Sequence, residues 1–149
     1  MAPMEYQVIE QFARQNRWWV DPMLVGRDPQ LRRLQESPLK WTPLLPFRFD
    51  RDAVYVLRGP RQVGKSTVLK RLVEQLLVDD WNPRRILYLD VELGGLSTAM
   101  DLVSALREYI DFARSTPAES PERLAILLDE VTRVAHWAGA IRGLINNGE

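Results

Sequence analysis

No cysteine occurs in the chain. That removes disulfides, thiolate metal sites and a cysteine nucleophile. Histidine is reduced to one, His136, too little for a multi-histidine metal site or a Ser-His-Asp triad. Long hydrophobic runs are missing as well. The most apolar, Ala53–Leu57 and Leu124–Leu128, reach only about a quarter of the ~20 residues a membrane span needs. Met1–Val20 carries Glu5, Glu10, Arg14 and Arg17 without an apolar centre, so it does not read as a signal peptide. Charge of one sign is not in excess, with 20 Lys+Arg against 20 Asp+Glu. A neutral total gives no general pull toward nucleic acid or anionic membrane, although it leaves room for a local basic patch. These absences make a cytoplasmic protein the expectation. What is present, 149 residues with 46% hydrophobic and 27% charged, is the composition of one globular domain.

Two regions differ in texture. Residues 1–52 hold Trp18, Trp19 and Trp41 and prolines at 3, 22, 29, 38, 43 and 46. Repeated prolines interrupt regular structure, so short helices and loops are expected. Tyr6–Arg17 is expected as one helix. A second should start at Asp28-Pro29, with Asp28 as N-cap and Pro29 at the first helical position, ahead of Leu31 and Leu34. Residues 53–149 alternate strand and helix. Ala53–Leu57 is a continuous apolar run, as suits a parallel strand covered on both faces. Leu69, Leu72, Val73, Leu76 and Leu77 recur at helical spacing up to Asp79-Asp80. Ile86–Leu89 is the second strand, leading to Asp90, Glu92 and a Gly94-Gly95 turn. Ser97 is expected to cap a helix facing inward through Leu102, Val103, Leu106, Tyr109, Ile110 and Ala113. Leu124–Leu128 is the third strand. A last helix should bury Ala138, Ile141, Leu144 and Ile145 and stop at Asn146-Asn147-Gly148. The order predicts an α/β fold, a layered phosphate-loop sandwich with a mostly parallel sheet.

The chemistry concentrates in Gly59-Pro60-Arg61-Gln62-Val63-Gly64-Lys65-Ser66, which fits the pattern GxxxxGK[ST] once. Glycines let the backbone curl until several N–H groups face phosphate oxygens. The next helix adds its partly positive end. Lys65 is set to reach the β and γ phosphates, Ser66 to ligate Mg²⁺, and Thr67 to help hold the α phosphate. A bland glycine turn with a solvated lysine is the competing reading. The strand expected before the loop and the helix after it favour the phosphate loop, with ATP and Mg²⁺ as ligands. For Arg58 and Arg61 surface salt bridging is favoured over phosphate contact.

A second site follows from Asp129-Glu130. A strand covered on both faces has no structural need to end in two acids, and ligands sit at that edge of open α/β sheets. Asp129 would hold the Mg²⁺ hydration shell. Glu130 would orient or deprotonate the attacking water. Asp90 and Glu92 are the competing carboxylates, expected further from the loop.

Two strings, Leu57–Thr67 and Leu127–Trp137, resemble a prokaryotic AAA-type ATPase family that reads LRGPRQVGKT and then DEIQRVPxW. The resemblance covers about Val54 to Leu144. Thr132 stands where the family tends to have Gln, and Ala135 where Pro is common. It implies ATP binding and hydrolysis, with Lys65 and Glu130 as catalytic residues and ADP as product. Trp137 reads as a packing residue and His136 as a surface one. The resemblance further implies a strand, following Asp129-Glu130 in sequence, that lies between the phosphate-loop strand and Leu124–Leu128 and carries a polar sensor residue.

The sequence stops at Glu149, before such a strand. The expectation is therefore an N-terminal piece of a longer ATPase, 1–52 an extension and 53–149 a partial core, with impaired turnover. Its partners would be the C-terminal remainder or another protein. A nucleotide-gated interaction switch is the alternative function. A small-molecule kinase ranks below it, and a GTPase is disfavoured because no Asn-Lys-x-Asp string occurs. Nucleic acid remains an unsupported partner.

Overall fold

The computed structural model describes residues 7–39, 47–60, 64–115 and 123–148. It is an α/β arrangement built around two parallel strands, β1 (Ile86–Asp90) and β2 (Ala125–Asp129), in register from Ile86 beside Ala125 to Asp90 beside Asp129. Parallel pairing requires a crossover connection, and a helix of 17 residues spanning Ala99–Ser115 lies between the two strands in sequence. Around them, in chain order, stand α1 (Gln7–Gln15), α2 (Pro29–Glu36), α3 (Lys65–Val78), α4 (the crossover helix) and α5 (Trp137–Asn146).

Local side-chain chemistry starts two of the helices. Asp28 does cap α2, its Oδ1 accepting from Gln30 N–H at 2.9 Å and Leu31 N–H at 3.2 Å, with Pro29 first in the helix. The cap of α4 is Thr98 rather than Ser97. Thr98 Oγ1 accepts from Asp101 N–H and Asp101 Oδ2 accepts from Thr98 N–H. That reciprocal pair is a capping box with Asp in the Glu position. The Asp101 carboxyl is held below its ordinary range by these bonds, those from the Thr98 and Ser97 backbone foremost. The inward face of α4 is the expected one: Leu102, Leu106, Tyr109, Ile110 and Ala113 are buried. The face of α5 is shifted. Leu144 is buried, and Trp137, Ala140 and Ile141 pack on the core, but Ala138 and Ile145 are exposed. The packed face is turned toward Trp137, Ala140 and Leu144, which leaves Ala138 and Ile145 on its outer side.

Residues Phe12, Trp18 and Trp19 belong to the same core as Val73 and Leu76 of α3, the strands, and Tyr109 of α4. Trp19 stacks on Tyr109 with ring centres 5.7 Å apart and leans on Phe112 at 5.1 Å. The same segment closes the outer edge of β1 with side chains. Asn16, fully buried, accepts from Tyr88 N–H at 2.7 Å and donates to Tyr88 C=O at 2.8 Å. Gln15 does the same for Asp90, accepting from its N–H at 2.8 Å and donating to its C=O at 3.4 Å. Both indole N–H groups, of Trp18 and Trp19, donate to Ile86 C=O. Every second residue of β1 thus finds on its outer side the partner that a neighbouring strand would supply.

Two expectations fail here, for one reason. Ala53–Leu57 is not a strand: it runs irregularly with Val54, Tyr55 and Val56 exposed by 58%, 41% and 53%. Nor is β2 covered on both faces, since Ile126 is 37% exposed between buried Ala125 and Leu127. β-propensity becomes a strand only when backbone partners are offered. The edge of β1 is occupied by Asn16 and Gln15, and β2 has β1 as its strand neighbour. Residues 53–57 join neither, and Tyr55 instead bonds locally to the backbone of Arg48.

Asn16→Ala should leave the buried N–H and C=O of Tyr88 unpartnered, at about 1–3 kcal/mol for each such group. The expected loss, about 3 kcal/mol, would appear as a lower urea midpoint at unchanged slope. A loss below about 1 kcal/mol would show that α1 does not hold β1 in this way.

Candidate nucleotide site

Helix α3 opens at the loop that carries the glycine pattern. Gly64 is its N-cap, with φ at +87°, a left-handed conformation that L side chains rarely adopt. No side chain caps this end. The first turn therefore presents backbone N–H groups and the positive end of the helix dipole to whatever lies in front of it. Ser66 and Thr67 stand on that turn, half-buried. Lys65 folds back over the loop, its ammonium donating to the carbonyls of Gly59 and, at 2.9 Å, of Pro60. Gly59, Pro60 and Arg58 are exposed, while Arg61, Gln62 and Val63 lie outside the described residues.

Asp129 closes β2 and is 6% exposed. Each of its oxygens accepts one bond: Oδ2 from the Tyr88 hydroxyl at 2.7 Å and Oδ1 from Glu130 N–H at 3.0 Å. Glu130 follows in a left-handed turn, φ +53°, with its side chain exposed. Asp90 lies beside Asp129 in register, and its Oδ1 accepts from Leu93 N–H at 3.0 Å. Glu92 is paired with Arg133 at 3.3 Å, both about half-exposed.

A cavity of about 270 Å³ opens between these elements, lined in part by Ser66 and Lys70 of α3, Tyr88 and Asp90 of β1, and Arg14 and Arg17. Ser66 and the β1 carboxylate therefore share a space, and Asp129 meets its wall through Tyr88. Neither Asp129 nor Glu130 is part of that lining, whereas Asp90, expected further from the loop, shares it with Ser66. The cavity's other walls come from the segment around Asp28, whose Oδ2 binds Lys70 at 2.7 Å. Tyr88 and Lys70 are not among the residues the sequence singles out, and Asp28 is singled out only as a helix cap. A hydroxyl inside the otherwise aliphatic Ile86–Leu89, and a lysine four residues after Ser66 on the same helix face, were the available signals.

The hard oxygens that line the cavity beside α3 include the hydroxyl of Ser66 and the carboxylate of Asp90, with Asp129 buried behind them on the Tyr88 hydroxyl. Among the described residues no group of three or more His, Asp or Glu side chains gathers into a metal cage. A few protein oxygens with phosphates and water completing the shell is the arrangement that suits Mg²⁺. Among the described residues no helix is long and apolar enough to cross a membrane.

An α/β unit with an uncapped helix start after glycine is compatible with the class of nucleotide-binding domains. Residues 51–149, about two thirds of the chain, match the family described as AAA domain, and the chain belongs to that family of ATPase-type nucleotide-binding domains. Comparison with curated proteins and with solved structures gives no match.

Burial, then the bond to Asp129, raises the proton affinity of Tyr88 well above the ordinary tyrosine value of 10.0, and burial does the same for Tyr109. Stability is fully present below pH 10 and falls as pH rises from there, because the unfolded chain releases these protons and the native one does not. The expected slope is up to about 1.4 kcal/mol per pH unit for each group, measured as urea midpoints at about pH 8 and about pH 10.5. Tyr88→Phe should roughly halve it, leaving the share of Tyr109. An unchanged slope in that variant would assign the alkaline loss elsewhere.

Proposed function

We propose that the chain carries a Mg²⁺-dependent ATP site and that hydrolysis of the β–γ bond is the activity of the ATPase to which it contributes. The supporting observation is the start of α3: a left-handed Gly64, no side-chain cap, and Lys65 and Ser66 on the first turn. Such an end accepts phosphate without rearrangement of the helix. In this reading the backbone of Gly59, Pro60, Arg61, Gln62, Val63 and Gly64 cradles the phosphates, with Thr67 beside them. Lys65 leaves the Gly59 and Pro60 carbonyls for the β and γ oxygens. Ser66 and Asp129 hold the cation. When bound, Mg²⁺ neutralises charge on the β and γ oxygens. Glu130 orients the attacking water and takes its proton.

The sheet belongs to the same proposal. The edge of β2 away from β1 takes one further strand, in the manner of a phosphate-loop sandwich. The half-covered β2 supports this. Residues 1–52 are then an extension packed on a core that begins at 53, and the remaining strand comes from a C-terminal continuation or a partner. The 149-residue chain would bind nucleotide and turn it over slowly.

Lys65→Ala should abolish binding of a fluorescent ATP analogue. Glu130→Gln should keep binding and lower phosphate release by about 10²–10⁴-fold in the longer ATPase. Normal turnover by Glu130→Gln would remove Glu130 from catalysis. Tight ATP binding without turnover in the longer protein would favour the nucleotide-gated switch.

A further inference from the structure

The Tyr88 hydroxyl is the one side-chain donor that Asp129 receives among the described residues. We infer that Tyr88 is a positioning residue for the Asp129 carboxylate, itself held in place by the segment 7–39. This rests on the reading of Asp129 as a Mg²⁺ ligand.

A carboxylate has about four acceptor positions. Tyr88 and Glu130 N–H take one on each oxygen, so each oxygen keeps a free lone pair while the group as a whole can no longer rotate. The bonds leave capacity for a cation and remove the entropy that a free side chain would lose on binding it. Metal ligands are commonly oriented by such partners.

Besides its bond to Asp129, Tyr88 is held from two directions. Its backbone is bracketed by Asn16 at 2.7 and 2.8 Å. Its ring lies under the Lys70 ammonium, 5.2 Å from the ring centre. That ammonium is anchored 2.7 Å from Asp28 Oδ2, while Asp28 Oδ1 caps α2. The two oxygens of Asp28 are thus divided between ending one helix and holding a cation over a ring. Asp28, Lys70, Tyr88 and Asp129 form a continuous chain from the N-terminal segment to the end of β2. Movement of α2 would change the freedom of Asp129 without any contact between them.

The test is a titration of the 149-residue chain with Mg²⁺ at fixed fluorescent ATP analogue, alongside nucleotide binding in EDTA. Tyr88→Phe keeps the ring and removes the hydroxyl. The expected result is an apparent Mg²⁺ affinity lower by about 10-fold with metal-free binding unchanged. In an Asp129→Asn background, Tyr88→Phe should add nothing, as for a residue acting through Asp129. Wild-type Mg²⁺ affinity in Tyr88→Phe, while Asp129→Asn loses it, would overturn the role of Tyr88 and leave the Mg²⁺ site standing. An equal loss with and without Mg²⁺ would also overturn it, since that reports a general structural effect. Asp129→Asn without effect on the titration would overturn the Mg²⁺ assignment and this inference with it. Should Tyr88→Phe lose cooperative unfolding, Lys70→Met carries the test, because it frees the ring and keeps the hydroxyl. A fall in Mg²⁺ affinity at unchanged metal-free binding supports the positioning role, and no change overturns it.

Discussion

A buried strand must satisfy the backbone groups on both of its sides, and most of this structure follows from how β1 does so. On one side β2 supplies a parallel ladder. On the other, the amide side chains of Asn16 and Gln15 and the indoles of Trp18 and Trp19 stand in for a strand. An amide carries a donor and an acceptor at the spacing of a peptide group, which is why Asn and Gln can answer both groups of one residue. The helix α1 is placed by that requirement. Phe12 and the tryptophans reach the core because they are attached to it.

The same arrangement sets the site. With β1 held from both sides, Tyr88 has a fixed position, and Asp129 ends a strand in register with Asp90. The start of α3 brings a different property: exposed N–H groups behind a left-handed glycine. One end of the site is therefore backbone and the other is a carboxylate with its rotation blocked. Preorganised donors of both kinds cost little to align when a charged ligand arrives.

Features written in adjacent residues were legible. Asp28-Pro29 announced α2, the Gly-Lys-Ser string announced the start of α3, and Asn146-Asn147-Gly148 marked the end of α5, with Gly148 at φ +74°. Features that depend on distant partners were not. The bond from Asn16 to Tyr88 spans 72 positions, and nothing near residue 16 foretells it. Residues 53–57 have the composition of a strand, but pairing is decided by what lies alongside. The cap of α4 was misplaced by one residue because Ser97 and Thr98 have the same chemistry; Asp101, three residues after Thr98, was the discriminating signal. Of the candidate site, the glycine string and Asp129 could be named from the sequence as expectations, while the Asp28–Lys70–Tyr88 chain required the fold.

The sheet has two unlike borders. Side chains seal the one at β1, so no strand from any source can add there without first displacing α1. At the border of β2 no described residue forms a further strand, and the backbone edge stands beside a half-covered face. The fold therefore has a direction. It can be extended only from β2 outward, and every strand that joins must take its register from Ala125–Asp129, which ties the alignment of any added element to the position of the carboxylate at that strand's end.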